Sequence, residues 1–299
     1  MSDSESVNGH LSRYFPHPIG IFDSGVGGLS VLRALRAELP HQAMLYVADS
    51  GHAPYGERGT AHVLARSRAI ANYLVSQHVK ALVVACNTAT AAAIAQLRFD
   101  HPHLPIIGVE PALKPAALIS QTHRIGVMAT RSTLASAKFQ TLLAAQSGTA
   151  TFVLQACDGL ASAIERSTLE ALDAQNSAAY VQNESKIIAL CALNTSAMGL
   201  FGTQVGQIDT LVLGCTHYPF AAEHLRRLVG PHVQLVDTGQ AVARQTRQLL
   251  ASQLQGTEPQ TEPIGHVSLF TTGQPVALQA AACRWLGESR PVGVTWLSI

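Results

Sequence analysis

One construction occurs twice in this chain and limits its fold more than any other feature. Residues 80–90 read Lys-Ala-Leu-Val-Val-Ala-Cys-Asn-Thr-Ala-Thr, an apolar run that stops abruptly at Cys86-Asn87-Thr88 and gives way to an alanine-rich segment, Ala91 to Arg98. An unbroken run with central valines fits a strand buried on both faces, as in a parallel sheet. The helix expected after it takes Asn87 or Thr88 as its cap, since their side-chain oxygens accept from the first unpaired N–H groups. Cys86 then stands where a strand's carboxyl end meets a helix's amino end. Open α/β sheets bind ligands there, and a helix dipole favours a thiolate there. Residues 210–219, Thr-Leu-Val-Leu-Gly-Cys-Thr-His-Tyr-Pro, repeat the plan around Cys215.

The remaining sequence alternates in the same manner. Pro18 precedes a strand, Ile19 to Phe22, that stops at Asp23-Ser24-Gly25-Val26-Gly27-Gly28, and Leu29, Leu32, Leu35 and Leu39 mark the helix after it. Further strands are expected at Met44 to Ala48 and Pro105 to Val109, with a helix from about Thr60 to His78. The pattern restarts at Arg124, where Ile125-Gly126-Val127 echoes Ile19-Gly20-Ile21. Later strands are expected at 152–154, 210–214, 234–236, 267–270 and near Val292. This alternation predicts an α/β protein of two pseudo-symmetric, doubly wound parallel-sheet domains with a site in the cleft between them. The expected division is 19–114 plus 227–299 for the first domain and 115–226 for the second. Residues 1–18 read as a flexible N-terminal extension; they lack a signal peptide's basic start and apolar middle.

Composition removes several classes. The chain has 299 residues, 47% of them hydrophobic and 13% charged, with a net charge of +1. It can therefore build real cores, and it offers no basic surface for nucleic acid. Its apolar runs are strand-length, too short for a membrane span. The cysteines, at 86, 157, 191, 215 and 283, are odd in number and form no CxxC pair, so neither a disulfide framework nor a zinc ribbon is expected. A cytoplasmic chain with reduced thiols follows.

The glycine-rich stretch after the first strand has neither GxGxxG spacing nor a GK[ST] ending, which argues against nucleotide binding. Its glycines are expected to turn the backbone tightly and leave Asp23 and Ser24 facing a small ligand. A lone cysteine is by default a buried hydrophobe. Here Cys86 and Cys215 each precede a hydrogen-bonding pair, Asn87-Thr88 and Thr216-His217, at equivalent places in equivalent units. Pseudo-symmetry brings both strand ends to one cleft, where one thiol can take a proton and the other return one to the opposite face. His217 has no second ligand at metal spacing and is expected to tune Cys215 instead. Cys157, Cys191 and Cys283 lack such companions and read as structural. The lysines, Lys80, Lys114, Lys138 and Lys186, avoid the polar strand ends, which disfavours a Schiff base and pyridoxal phosphate.

Taken together, residues 21–31, Pro54-Tyr55-Gly56 with Arg58, Cys86-Asn87-Thr88-Ala89, residues 108–112 and residues 214–219 resemble the glutamate racemase family, in its order, over about residues 19–240. The resemblance implies cofactor-independent interconversion of L- and D-glutamate, supplying D-glutamate for peptidoglycan. It implies Cys86 and Cys215 as the acid/base thiols and Asp23 and His217 as their respective helpers. Substrate-binding positions are Asp23, Ser24, Tyr55, Gly56, Asn87, Thr88, Thr216 and His217. A further acidic helper falls by spacing on Glu165. Where the family usually has proline after the second domain's Ala-Cys, this chain has Asp158-Gly159. The resemblance also admits a peptidoglycan-precursor activator, with residues 1–18 taking part, and a monomer or homodimer. Two other readings remain: a related racemase of aspartate type, and a cysteine hydrolase using Cys215 and His217.

Overall fold

A computed structural model describes residues 17–170, 178–253, 265–287 and 293–299; the expected extension thus lies outside the described residues up to position 16. Among the described residues, ten strands form two sheets. In chain order the strands are β1 (Ile19–Asp23), β2 (Met44–Ala48), β3 (Ala81–Val84), β4 (Ile106–Gly108), β5 (Arg124–Ala129), β6 (Thr151–Ala156), β7 (Thr210–Gly214), β8 (Gln234–Val236), β9 (Val267–Thr271) and β10 (Val294–Trp296). The first sheet runs β10-β9-β2-β1-β3-β4 and the second β6-β5-β7-β8, and every pairing is parallel. The helices are α1 (Leu29–Glu38), α2 (Thr60–Ser76), α3 (Asn87–Asp100), α4 (Leu113–Ile119), α5 (Arg131–Ala135), α6 (Ala137–Ala144), α7 (Leu160–Glu170), α8 (Ala178–Met198), α9 (Ala222–Val229), α10 (Gly239–Gln253) and α11 (Pro275–Leu286).

The apolar runs behave as buried parallel strands should, covered on both faces. Ile19, Ile21, Ala81 and Val83 pack with Leu29, Leu32 and Leu35 of α1, Val242 of α10 and Leu278 of α11. On the other face, Phe22, Leu82 and Val84 pack with Ile70 and Leu74 of α2 and Ile94 and Leu97 of α3. Each of the valine, leucine, isoleucine and phenylalanine side chains among them, when fully buried, contributes about 1.5–3 kcal/mol. The second sheet has the same plan, with Met128, Leu211 and Leu213 facing α7–α9 and Ile125, Val127 and Val212 facing α4 and α6. Among the described residues, no helix is long and apolar enough to cross a membrane.

The repeat is topological. The order β2-β1-β3-β4 matches β6-β5-β7-β8, so β3 and β7, the two strands that end in cysteine, are counterparts. The same equivalence corrects the expected boundary. The sequence pattern places residues 227–236 in the first domain, but β8 pairs with β7 and completes the second sheet as the counterpart of β4. The chain returns to the first sheet only at α10, which packs on α1. Motif spacing does not reveal this, because neither the three-residue run of β8 nor the Asp237-Thr238-Gly239 after it specifies which sheet the strand joins.

Candidate active site

Apart from Glu165 on α7, the expected site residues lie at or beyond the carboxyl ends of strands: Asn87 and Thr88 in the first turn of α3, and Tyr55 and Gly56 in a short 3-10 turn farther along the loop after β2. A cleft of about 520 Å³, counting the open space at its mouth, is lined by Ser24, Tyr55, Gly56, Cys86, Asn87, Thr88, Cys215, Thr216 and His217. Asp23 and Glu165 stand behind this lining. The expectation that Asp23 faces the ligand is therefore corrected: it is fully buried, and its carboxylate accepts from Gly28 N–H at 2.8 Å and from the Thr216 hydroxyl at 3.4 Å. A carboxylate at the end of a central strand is held inward by the backbone donors of the following turn.

The glycines of that turn also serve a different purpose from the one expected. None of Gly25, Gly27 and Gly28 is among the glycines with positive φ. Instead, a Cβ on Gly25 would collide with the Glu165 carboxylate, and one on Gly27 with the His217 ring. Only bare backbone lets the second unit come this close to the first.

Cys86 sits in extended conformation just before α3, and its own Sγ accepts from Ala89 N–H at 3.4 Å. The thiol is thus the helix cap, a role expected of Asn87 or Thr88, which lie instead in the first helical turn. Its S–H points toward Ser24 Oγ at 3.6 Å. Burial, and next the negative charge of Asp23, raise the Cys86 thiol above its ordinary value, more than the Ala89 and Ser24 contacts lower it. Cys86 is accordingly a neutral thiol. Burial also pushes Asp23 up to about 6, with His217 and the Gly28 N–H pulling the other way.

Cys215 has different company. His217 Nδ1 lies 3.8 Å from its Sγ, and His217 Nε2 lies 2.7 Å from Glu165 Oε2. Burial opposes charging of this imidazole, but hydrogen bonds to Cys215 and Glu165 outweigh it and hold His217 well above its usual value. Burial likewise opposes ionisation of Glu165, yet the His217 bond and charge, Val26 N–H and the Ser50 hydroxyl keep it below the ordinary carboxyl range. Glu165 and His217 thus form an ion pair, with the imidazolium turned toward the thiol.

Asn87 Nδ2 is buried and has no partner among the described residues, and Asn87 lines the cleft. An unpaired buried donor costs about 1–3 kcal/mol, so its position favours a ligand that brings an acceptor. The first N–H groups of α3 open at the same place and favour an anion. The Tyr55 hydroxyl, by contrast, donates to Asp49 at 2.5 Å, leaving its ring and backbone as the parts that face the cleft.

Sequence reasoning missed several lining residues: Thr130, Arg131, Cys157, Asp158 and Ser162. Thr130 Oγ1 is 3.2 Å from Thr88 Oγ1, and Arg131 pairs with Asp158 at 2.5 Å at the mouth. The available signal was the β5 strand end, whose counterpart β1 had been recognised as part of the site. Cys157, read as structural, ends β6 just as the Asp49 turn ends β2. Cys191 is buried in the core of the second unit, and Cys283 lies on α11; neither lines the cleft.

Two facing parallel sheets that each offer a thiol from a matching strand end define an acid/base isomerase site. The profile of the Asp/Glu/hydantoin racemase family matches residues 29–190, more than half of the chain, and the chain belongs to that family. A glutamate racemase of Stutzerimonas stutzeri is 46% identical over 235 residues, covering 78% of this chain and 82% of that protein. The crystal structure of glutamate racemase isoform RacE1 from Bacillus anthracis superposes with a TM-score of 0.79 at 27% identity, covering 96% of this chain and 99% of that one. The Escherichia coli glutamate racemase, solved with L-glutamate and the activator UDP-MurNAc-Ala, gives a TM-score of 0.73 at 27% identity over 94% of this chain and 98% of that one.

Proposed function

We propose that this chain interconverts L- and D-glutamate in the cytoplasm by a two-thiol proton transfer, supplying D-glutamate for the cell wall. The observation that supports it most is that Cys86 and Cys215, at the ends of counterpart strands in two sheets, line one cleft. With L-glutamate bound, Cys215 as thiolate removes the α-proton while His217 carries the positive charge beside it. Cys86, kept neutral by burial and Asp23, delivers its proton to the opposite face. For D-glutamate the roles reverse, and Asp23 is the group placed to relieve Cys86 of its proton.

The α-carbon is a weak acid, so the developing charge needs donors fixed in advance around the α-carboxylate. Asn87 Nδ2 and the first N–H groups of α3 are positioned to supply them. Thr88, Thr130, Tyr55 and Gly56 line the part of the cleft left for the substrate's second carboxylate.

The Cys215–His217–Glu165 arrangement also fits a cysteine nucleophile in a hydrolase, for which Cys86 would be idle. One experiment separates the two. L-Glutamate incubated with the protein in deuterated water, followed by circular dichroism and mass spectrometry, is expected to lose optical activity and gain one α-deuteron in the product. A product without deuterium would end the two-thiol mechanism. The activator belongs to the Escherichia coli protein; adding UDP-MurNAc-Ala to the same assay tests whether this chain answers to it.

A further inference from the structure

The Glu165 carboxylate is reached from three separate parts of the chain. Val26 N–H, in the turn after β1, donates to Oε1 at 3.2 Å and Oε2 at 2.9 Å. The Ser50 hydroxyl, just after β2, donates to Oε1 at 2.8 Å. His217 Nε2, after β7, meets Oε2 at 2.7 Å. Val26 and Ser50 belong to the first unit, whereas Glu165 and His217 belong to the second.

We propose that Ser50 is a positioning residue: with Val26 N–H it holds the Glu165 carboxylate across the cleft, so that His217 has its ion-pair partner only when the two units are closed on each other. The inference rests on the racemase reading above and adds to it a coupling between closure and the state of the Cys215 side.

The geometry carries this in three ways. A carboxylate's terminal torsion is soft, so one donor leaves it free to rotate while two donors on different sides fix it. Val26 grips both oxygens; Ser50 alone engages Oε1 with a side chain and decides which oxygen is left for His217. Ser50 is itself well placed to do so. Its neighbour Asp49 is fully buried and accepts from Arg66 Nε at 3.0 Å, Tyr55 Oη at 2.5 Å and Thr272 Oγ1 at 2.7 Å, which ties the turn to the body of the first unit. Finally, other contacts between the units converge on the His217 loop: the Ser30 hydroxyl donates to the Thr216 carbonyl at 2.9 Å, and Gly27 abuts the His217 ring. Separation of the units breaks the Ser50 and Val26 contacts together and releases the carboxylate that keeps the imidazole charged.

The charged and titratable groups facing His217 are Cys215 beyond β7, Glu165 on α7 and Asp23 at the end of β1, with Tyr46 of β2 behind the two carboxylates. Of these, only Glu165 is a direct partner of Ser50. Loss of the Ser50 hydroxyl therefore acts on His217 through Glu165: a loosened carboxylate supports the imidazolium less, and the His217 limb of the pH profile moves to lower pH.

The test measures kcat/KM for glutamate from pH 5 to 10 in the wild type, Ser50→Ala, Ser50→Thr, Glu165→Gln and the double variant Ser50→Ala/Glu165→Gln. Ser50→Ala is expected to lose about tenfold in kcat/KM, as for one hydrogen bond to a charged group, and to shift the limb acidward. Ser50→Thr, which keeps the hydroxyl, is expected to restore both. In the Glu165→Gln background, Ser50→Ala should add less than about twofold, because the two act as one unit. A tenfold loss with an unmoved limb, or full multiplication of the two effects, would overturn the proposal. Should Ser50→Ala fail to fold, Ser50→Cys, with a weaker donor of similar size, must give a limb between wild type and Glu165→Gln; a wild-type limb would overturn it equally. A wild type that does not racemise glutamate refutes the function itself, whereas a racemising wild type with a fully active, unshifted Ser50→Ala refutes only the positioning role.

Discussion

The two cysteine-bearing strand ends occupy equivalent places in equivalent sheets, yet their surroundings differ in charge. Around Cys86, burial and the carboxyl of Asp23 suit a neutral thiol and outweigh the opposing Ser24 and Ala89 contacts. Around Cys215 stands an imidazole held charged by Glu165, which suits a thiolate. Counterpart strands thus bring the two sulfurs to one cleft, while unrelated side chains beyond the strand ends give them oppositely charged neighbours. A two-thiol racemase needs this difference, because two thiols or two thiolates together cannot take a proton on one face and return one on the other.

The largest effect that probes the comparison is removal of either thiol. Cys86→Ala and Cys215→Ala are each expected to lower racemisation by at least about 10³-fold, read by circular dichroism of L-glutamate. If one variant kept wild-type activity, the pair would not share a reaction.

The helpers come next, and there the equilibrium constant matters. Since the two enantiomers are equally stable, kcat/KM must fall equally in both directions for any variant. The asymmetry appears instead in the isotope effect for an α-deuterated substrate. His217→Asn is expected to cost about 10²-fold and to raise the isotope effect with L-glutamate, whose proton Cys215 removes. Asp23→Asn is expected to cost about tenfold and to raise it with D-glutamate. The same direction in both variants would show the two sides to be alike after all.

Asp23 also makes a pH prediction. Its carboxyl is raised from 3.8 to about 6 in the folded chain. Kcat/KM should therefore fall as pH drops through about 6, and Asp23→Asn should lose that limb. For stability the sign runs the other way from an ordinary salt-bridged aspartate. Between about 4 and 6 the folded state binds more protons than the unfolded one, so stability declines as pH rises through that window and stays lower above it. The size is on the order of 3 kcal/mol. Asp23→Asn is accordingly expected to raise Tm at pH 7–8 while slowing the enzyme. No change in Tm between pH 4 and 8 on that substitution would contradict the buried, raised carboxyl.

The smallest effect is expected outside the cleft. Cys283→Ala should stay within about twofold of wild type, since Cys283 lines no part of the site. A dead Cys283 variant would put the chemistry elsewhere.

Much of this was legible in the sequence because parallel strands advertise themselves. β1, β3, β5 and β7 are short apolar runs bounded by polar or glycine-rich turns, and in this architecture the strand's carboxyl end is also the site. Local pattern and functional position therefore coincide for Ser24, Cys86, Asn87, Cys215 and His217. The pattern is weaker for β8, because its three residues and the Asp237-Thr238-Gly239 after them do not specify which sheet it joins. The cap of α3 was misread because asparagine and threonine are the usual caps, whereas here the thiol itself bonds the third N–H of the helix.

The sequence by itself determined the alternation of strands and helices, the repeat, and two thiols at matching strand ends, since these follow from hydrophobic runs and the residues that interrupt them. Only the tertiary structure decided what surrounds each thiol. Glu165 meets Val26 across 139 residues, Ser50 across 115 and His217 across 52. Asp23 is turned inward by the Gly28 N–H and reaches Thr216 across 193 residues. Such contacts depend on how two separately wound sheets face each other, and no local periodicity encodes that distance. The glycines of the first turn show the division most clearly. Their presence was plain in the sequence, but their reason, the room they leave for Glu165 and His217, existed only once the second unit was packed against them.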